Sequence, residues 1–152
     1  TRSLLWNEGL DFGHGTGHGV GAFLGVHEGP QRISAFAGDV GFQSGMIISN
    51  EPGYYRTGWG GIRLENLYVV QPALQHPKHP DSKEWLCFDA LTLIPFERKL
   101  VCEELLTEDE WNWLQNYHQQ VWEEISPLLN EKGEKEHLRQ ACDWSQQSQA
   151  NI

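Results

Sequence analysis

The chain has 152 residues, enough for one domain with a real core, and its 11 basic against 21 acidic residues give a net charge of −10. No stretch gathers Lys and Arg, which argues against nucleic acid and against anionic membrane surfaces as partners. No apolar run approaches the ~18 residues of a membrane span, and no signal peptide is visible. Cys87, Cys102 and Cys142 are odd in number and lack CxxC spacing, which argues against a disulfide framework and for a reducing, cytoplasmic setting.

Fifteen of the sixteen glycines lie between residues 9 and 61, so a turn-dense first part precedes a helical last part. No low-complexity linker separates them, and the expectation is one domain over residues 1–145. A Gln- and Ser-rich tail, 146–152, is expected to fray. Residues 1–8 read as the end of a helix already under way, capped by Gly9, and the chain as a piece of a longer protein. Residues 20–27 read as a short strand. Met46 to Glu51 reads as another, stopped by Pro52-Gly53. Ile62 to Val70 alternates as a third, with Ile62, Leu64, Asn66, Tyr68 and Val70 on one face and Arg63, Glu65, Leu67 and Val69 on the other. Pro72 to Lys83 contains three prolines and reads as a loop. Leu86 to Pro95 is a fourth strand. Thr107-Glu108-Asp109-Glu110 is a capping box opening a helix. Trp111, Leu114, Val121, Trp122, Ile125 and Leu128 follow at near-helical spacing, and Pro127 ends or bends it. A weaker helix is expected over about 134–144. The acidic residues Glu103, Glu104, Glu108, Asp109, Glu110, Glu123 and Glu124 read as a solvated helix face rather than a cation site.

The residues that carry chemistry begin with Gly13-His14-Gly15-Thr16-Gly17-His18-Gly19-Val20-Gly21, followed by His27-Glu28-Gly29-Pro30. Five glycines in nine residues make a helix costly, so an extended or looped ribbon is expected, one that can aim both imidazoles into one cavity. Taken alone, His14 or His18 fits a core or surface role equally well. In this glycine ribbon a site role is favoured. Gly17-x-Gly19-x-x-Ala22 only weakly matches a dinucleotide fingerprint, and neither a strand-helix-strand unit nor a Walker lysine accompanies it. Glu51 precedes Pro-Gly at the end of an apolar strand, and Glu65 falls inside one. Buried carboxylates are expensive unless paired or bound to metal. For Glu65 the plain alternative is a salt bridge to Arg63, two residues away on the same strand face. The other reading makes Glu65 a metal ligand, with Arg63 orienting the carboxylates. His with two Glu suits Mn, Zn, Co or Fe(II).

These strings, with Asn50-Glu51-Pro52-Gly53-Tyr54-Tyr55 and Gly61-Ile62-Arg63-Leu64-Glu65-Asn66, resemble the Xaa-Pro aminopeptidases (aminopeptidase P) of the pita-bread metallopeptidases. Leu91 to Pro95 and Leu114 to His118 extend the resemblance to the long, multidomain form, over most of residues 1–145. The resemblance implies an α+β fold: the C-terminal half of a pita-bread domain, a curved antiparallel sheet with covering helices. It implies two divalent metal ions, commonly Mn with Zn or Co as alternatives, held by Asp, Asp, His, Glu and Glu. The matching positions are His18, Glu51 and Glu65 for metal. His14 and His27 match histidines that contact substrate and stabilise the intermediate, Arg63 matches the arginine beside the last ligand, and Glu51 is the implied proton acceptor. Tyr55 and Trp59 are candidates for lining the pocket.

The chain departs from that pattern in carrying no counterpart of the two Asp ligands, nor of the first substrate-side histidine, which lie upstream in the family. The expectation is a chain with three of five ligands that is inactive alone. The implied activity is release of the first residue from Xaa-Pro peptides. Prolidase-type dipeptidases and creatinase share the fold. Glu51 and Glu65 argue against creatinase, and the matches at 91–95 and 114–118 favour aminopeptidase P over prolidase. A non-catalytic peptide-binding module of this fold is the remaining rival, disfavoured by the retained His and Glu. A half-domain of this kind is further expected to self-associate as a homodimer.

Overall fold

A computed structural model describes residues 2–23, 25–36, 38, 40–74 and 85–145. It divides into two compact units, residues 1–92 and 93–152.

The first unit opens with α1 (Ser3–Asn7). Gly9 takes φ +68°, its N–H reaches the Trp6 carbonyl at 3.0 Å, and the Leu10 N–H reaches the Leu5 carbonyl at 2.8 Å. This double closure, with a left-handed residue just past the helix, satisfies its last carbonyls as the sequence predicts. Arg2 then ties down the incoming ribbon. Its guanidinium lies 3.7 Å from the Phe12 ring centroid, pairs with Asp11, and donates to the carbonyls of Phe12 and His14 at 2.6 Å each.

The ribbon is extended, as expected. Its β1 (Gly17–His18) pairs antiparallel with β2 (Arg32–Ile33). On its other side, the Glu51 N–H donates to the Thr16 carbonyl at 2.7 Å and the Val20 N–H to the Ile47 carbonyl at 3.2 Å. The expected strand over 20–27 does not form. Pairing stops at Val20, Ala22–Phe23 and Val26–His27 are turns, and the loop is closed by Gly21 N–H to Gly25 O at 2.8 Å and Glu28 N–H to Gly19 O at 3.0 Å. Apolar content suggested a strand, but the backbone bond from Gly21 to Gly25 turns the chain back on itself instead.

The rest of this unit is built on one long hairpin. β3 (Ile47–Asn50) pairs with β6 (Asn66–Pro72), and β4 (Gly53–Arg56) pairs with β5 (Gly60–Arg63), all antiparallel. The two ladders share a single register, so Glu51 stands opposite Glu65 and Pro52 opposite Leu64. The strand expected over 62–70 is therefore real in register and face alternation, but broken at Leu64–Glu65. Pro52 is the reason. It has no N–H to give the ladder, so only the Leu64 N–H to Pro52 carbonyl bond remains, at 3.1 Å. β6 also pairs with β7 (Leu86–Ala90), which ends five residues short of the expected Pro95. Among the described residues, Phe12, Ile48, Val70 and Ala73 are the buried apolar residues of this unit. Most of the expected loop over Pro72–Lys83 lies outside the described residues, as does the 146–152 tail.

In the second unit the capping box forms: Thr107 Oγ1 accepts from the Glu110 N–H at 3.3 Å and the Glu110 carboxylate accepts from the Thr107 N–H at 2.9 Å. It opens α2 (Glu108–Ile125), which gives way to a 3₁₀ turn at Ser126–Leu128 containing Pro127. α3 runs from Lys132 to Cys142, two residues earlier than expected. The core joins Leu114, Tyr117, His118, Val121, Leu138 and Trp144, while Leu128 is exposed. His118 is fully buried with both ring nitrogens used. Nδ1–H donates to the Leu114 carbonyl at 2.7 Å, Nε2 accepts from the Phe96 N–H at 3.0 Å, and Trp144 stacks at 4.6 Å. Arg98 binds Glu103 with two hydrogen bonds and donates to the carbonyls of Asp143 and Ser145 at 3.2 Å, so Glu103 leaves the solvated acidic set. The three cysteines are free. Among the described residues no helix is long and apolar enough to cross a membrane.

Burial pushes the His118 imidazole below its ordinary value. The unfolded chain takes up a proton below about pH 6.5 that the folded unit refuses, so the unfolded state binds more protons and stability falls as pH drops through that range. The Tm followed by helical circular dichroism is expected to fall between pH 7 and 5. His118→Leu should flatten that dependence, while lowering stability at pH 7 by about 1–3 kcal/mol for the stranded Phe96 N–H.

Candidate active site

The site grows from the hairpin's interruption. Rungs of an antiparallel ladder alternate between hydrogen-bonded and non-bonded pairs, and side chains approach most closely on the latter. The bond at Pro52–Leu64 makes the next rung, Glu51–Glu65, a non-bonded one. Two carboxylates thus oppose each other on one face, an arrangement that is destabilising unless a cation joins them. Ser49, Tyr55 and Arg63 share that face by strand periodicity.

Arg63 supplies part of the compensation. Its Nη1 lies 3.2 Å from Glu51 Oε2 and 4.0 Å from Glu65 Oε2. Its guanidinium is raised above its ordinary value by the Tyr55 hydroxyl first, then by the two carboxylates. Glu65 is therefore within 4.0 Å of Arg63, as its ion-pair alternative expects, and stands opposite Glu51. Its expected burial is not found. Glu65 falls in the strand break with its side chain 47% exposed, whereas the Glu51 side chain is only 11% exposed.

His18 reaches the same carboxylate. Its Nδ1 lies 3.0 Å from the Gly19 carbonyl, which can only accept, so the proton sits on Nδ1. Nε2 then faces Glu51 Oε1 at 3.0 Å. With the ring in this tautomer two lone pairs face each other, an arrangement that a cation between them would relieve. Ser49, which the sequence reading overlooked, locks the arrangement. Its Oγ donates to Glu51 Oε1 at 3.1 Å and accepts the His18 N–H at 2.9 Å. Its position two residues before Glu51 on the same strand face was the available signal.

His14 joins through a relay. Arg63 Nε–H donates to the Tyr55 hydroxyl at 2.9 Å, and that hydroxyl is 2.9 Å from His14 Nε2. His14 Nδ1 donates to the Gly15 carbonyl at 2.7 Å, so its Nε2 is free to accept the Tyr55 proton. Tyr55 lies flat because two glycines leave room: a Cβ on Gly53 would stand 2.4 Å from its hydroxyl and one on Gly61 2.5 Å from its ring. His27 is exposed, with its ring 4.1 Å from that of His18. Trp59 is not brought in; it lies at the hairpin tip beside Tyr54, at 6.2 Å. Among the described residues no three His, Cys, Asp or Glu side chains close on a single point. His18 and Glu51 form the tight pair, and Glu65 stands opposite. On the reverse face the next rung holds Asn50 opposite Asn66, whose Oδ1 and Nδ2 respectively are buried without partners among the described residues.

Two family models match the chain: metallopeptidase family M24 over residues 1–72 and the C-terminal region of peptidase M24 over residues 84–144. Xaa-Pro aminopeptidase 1 of Dictyostelium discoideum is 46% identical over 94% of the chain and 22% of that protein. Aminopeptidase P2 of Arabidopsis thaliana is 52% identical over 84% of the chain and 18% of that protein. The crystal structure of X-prolyl aminopeptidase from Caenorhabditis elegans, described as a cytosolic enzyme with a dinuclear active site, superposes with a TM-score of 0.80 at 40% identity, over 93% of the chain and 23% of that protein. The fold is accordingly α+β, of the pita-bread type expected. The chain spans about a fifth of the length of these relatives.

The close seating of the ribbon on β3 has a direct test. A Cβ on Gly17 would stand 1.9 Å from the Ser49 carbonyl oxygen, a backbone atom that cannot swing aside. Gly17→Ala is expected to destabilise the protein by about 1–3 kcal/mol or more in chemical denaturation. Gly13→Ala, where a Cβ meets nothing within 4 Å, should cost far less.

Proposed function

The chain belongs to metallopeptidase family M24, and on that premise we propose that residues 1–145 form the C-terminal part of the catalytic domain of a metal-dependent aminopeptidase that removes the first residue from Xaa-Pro peptides. The observation that carries the reading is the His18 Nε2–Glu51 Oε1 contact at 3.0 Å beside the opposed Glu51–Glu65 rung. These three side chains are borderline and hard donors aimed at a face that lacks enough positive charge, and they fit divalent transition metals. We assign them as this chain's ligands to two ions, most simply Mn, with the remaining donors supplied from elsewhere in the longer protein. Such ions supply Lewis-acid activation of water and of the scissile carbonyl.

The chain's own groups do the rest. Glu51, hydrogen-bonded by Ser49 and paired with Arg63, is placed to accept a proton. His14 and His27 are assigned to the substrate: a ring N–H of the exposed His27 can donate to the carbonyl oxygen as it gains charge, while His14, held by Gly15 and Tyr55, is assigned to substrate contact. Arg63 holds both carboxylates and, through Tyr55, sets the tautomer of His14. The cytoplasm is the proposed location, in line with the cytosolic nematode relative. A homodimer is the proposed assembly, with exposed Phe36 as apolar surface for it.

In the full-length protein supplied with Mn, release of the first residue from an Arg-Pro-Pro peptide is expected. Glu51→Ala and Glu65→Ala should each abolish it and lower metal content, whereas His27→Ala should cut turnover with metal retained. Full metal occupancy in Glu65→Ala would refute its assignment as a ligand. A second expectation concerns the 152-residue chain alone. With one tight donor pair and Glu65 it should show no chelator-sensitive release; robust activity would mean the site is complete without further donors.

A further inference from the structure

The loop that carries His27 has an unusual interior. It leaves the ribbon at Gly19 and returns at Glu28, where backbone bonds close it. Two of its glycines do not serve backbone freedom, for neither Gly21 nor Gly25 takes a left-handed φ. They serve space. A Cβ on Gly21 would stand 1.8 Å from Glu28 Oε2, and one on Gly25 2.1 Å from the same oxygen. Glu28 is exposed as a residue, yet its carboxylate folds back into the cup between these two glycines. The neighbouring side chain in sequence is His27, whose ring lies over His18.

We propose that Glu28 is a positioning residue for His27: its carboxylate sits between Gly21 and Gly25, which are glycines in order to receive it. The inference rests on the reading that His27 contacts the substrate. With the carboxylate seated between Gly21 and Gly25, the chain through residue 27 is held in its place. Emptying the loop, or crowding it, frees His27 from its place above His18 without touching Ser49, Glu51, Glu65 or Arg63.

The geometry makes a coupled prediction. A methyl at position 25 and the carboxylate of Glu28 compete for the same volume. The carboxylate, at the end of a flexible side chain, is the one that gives way. Gly25→Ala should therefore copy Glu28→Ala, and the double variant should be no worse than either alone. In the full-length protein with Mn and an Arg-Pro-Pro peptide, both single variants are expected to lose about 10- to 100-fold in kcat. KM should stay within a few-fold and metal content should be unchanged. Glu28→Gln, of the same shape, should recover most of the rate.

Chymotryptic cleavage after Phe23, which is 98% exposed on this loop, gives a readout independent of activity. It should quicken in both single variants and no further in the double. Effects that multiply in the double variant would show that position 25 and Glu28 act separately and would overturn the proposal, as would unchanged kcat and cleavage in Glu28→Ala. A wild-type protein inactive on the peptide would strike the functional reading instead; the cleavage rates would still decide whether Glu28 and Gly25 share one space.

Discussion

Two carboxylates on one rung of an antiparallel ladder organise the first unit. Like charges placed directly across a sheet repel, and Glu51 and Glu65 stand so because the ladders on either side share a register. Every neighbour answers that charge: Arg63 lies between the two, Ser49 donates to Glu51, and the imidazole of His18 comes within 3.0 Å. Arg63 is 44% exposed, so its attraction is screened and covers only part of the repulsion. The remainder is the physical basis for reading the face as a cation site.

The second unit follows another logic. Its centre is apolar and aromatic, with one neutral histidine serving as donor and acceptor between Leu114 and Phe96. Arg98 gathers the chain around it, reaching Glu103 and the carbonyls past the end of α3, and lying over the Trp111 and Trp144 rings. The matched families divide earlier in the chain: one ends at residue 72 and the other starts at 84, so β7, which pairs with β6 in the first unit, falls in the second family's span.

Much of this was legible in the residues. The capping box at Thr107 and the glycine stop at Gly9 follow from hydrogen-bonding rules within a few residues, and both formed. The alternation from Ile62 to Val70 assigned faces correctly even though the strand breaks, because pairing register, not strand continuity, decides where side chains point. The break was half visible: Pro52 was read as ending β3, but its effect on the opposite strand required knowing the partner. The 20–27 segment was misread because apolar content cannot tell a strand from a loop whose glycines fold it around a side chain. Ser49 and the Tyr55 relay depend on which strands meet and on the room left by Gly53 and Gly61, information that no local pattern holds.

Three consecutive rungs of the hairpin are weak, each for a different reason. At Asn50–Asn66 two buried amide atoms lack partners among the described residues, at Glu51–Glu65 like charges face one another, and at Pro52–Leu64 a ladder bond is missing. Local opening takes place where such deficits add. The hairpin is thus a hinged object: its root, 47–50 with 66–69, is clamped by β1 and β7, while its tip, 53–63, carries Tyr55 and Arg63 beyond the weak stretch. The tip's amide protons have a route to exchange that leaves the root closed. Glu51 and Glu65 sit on the hinge line itself, so any ligand that ties them together also stiffens the arm bearing Arg63.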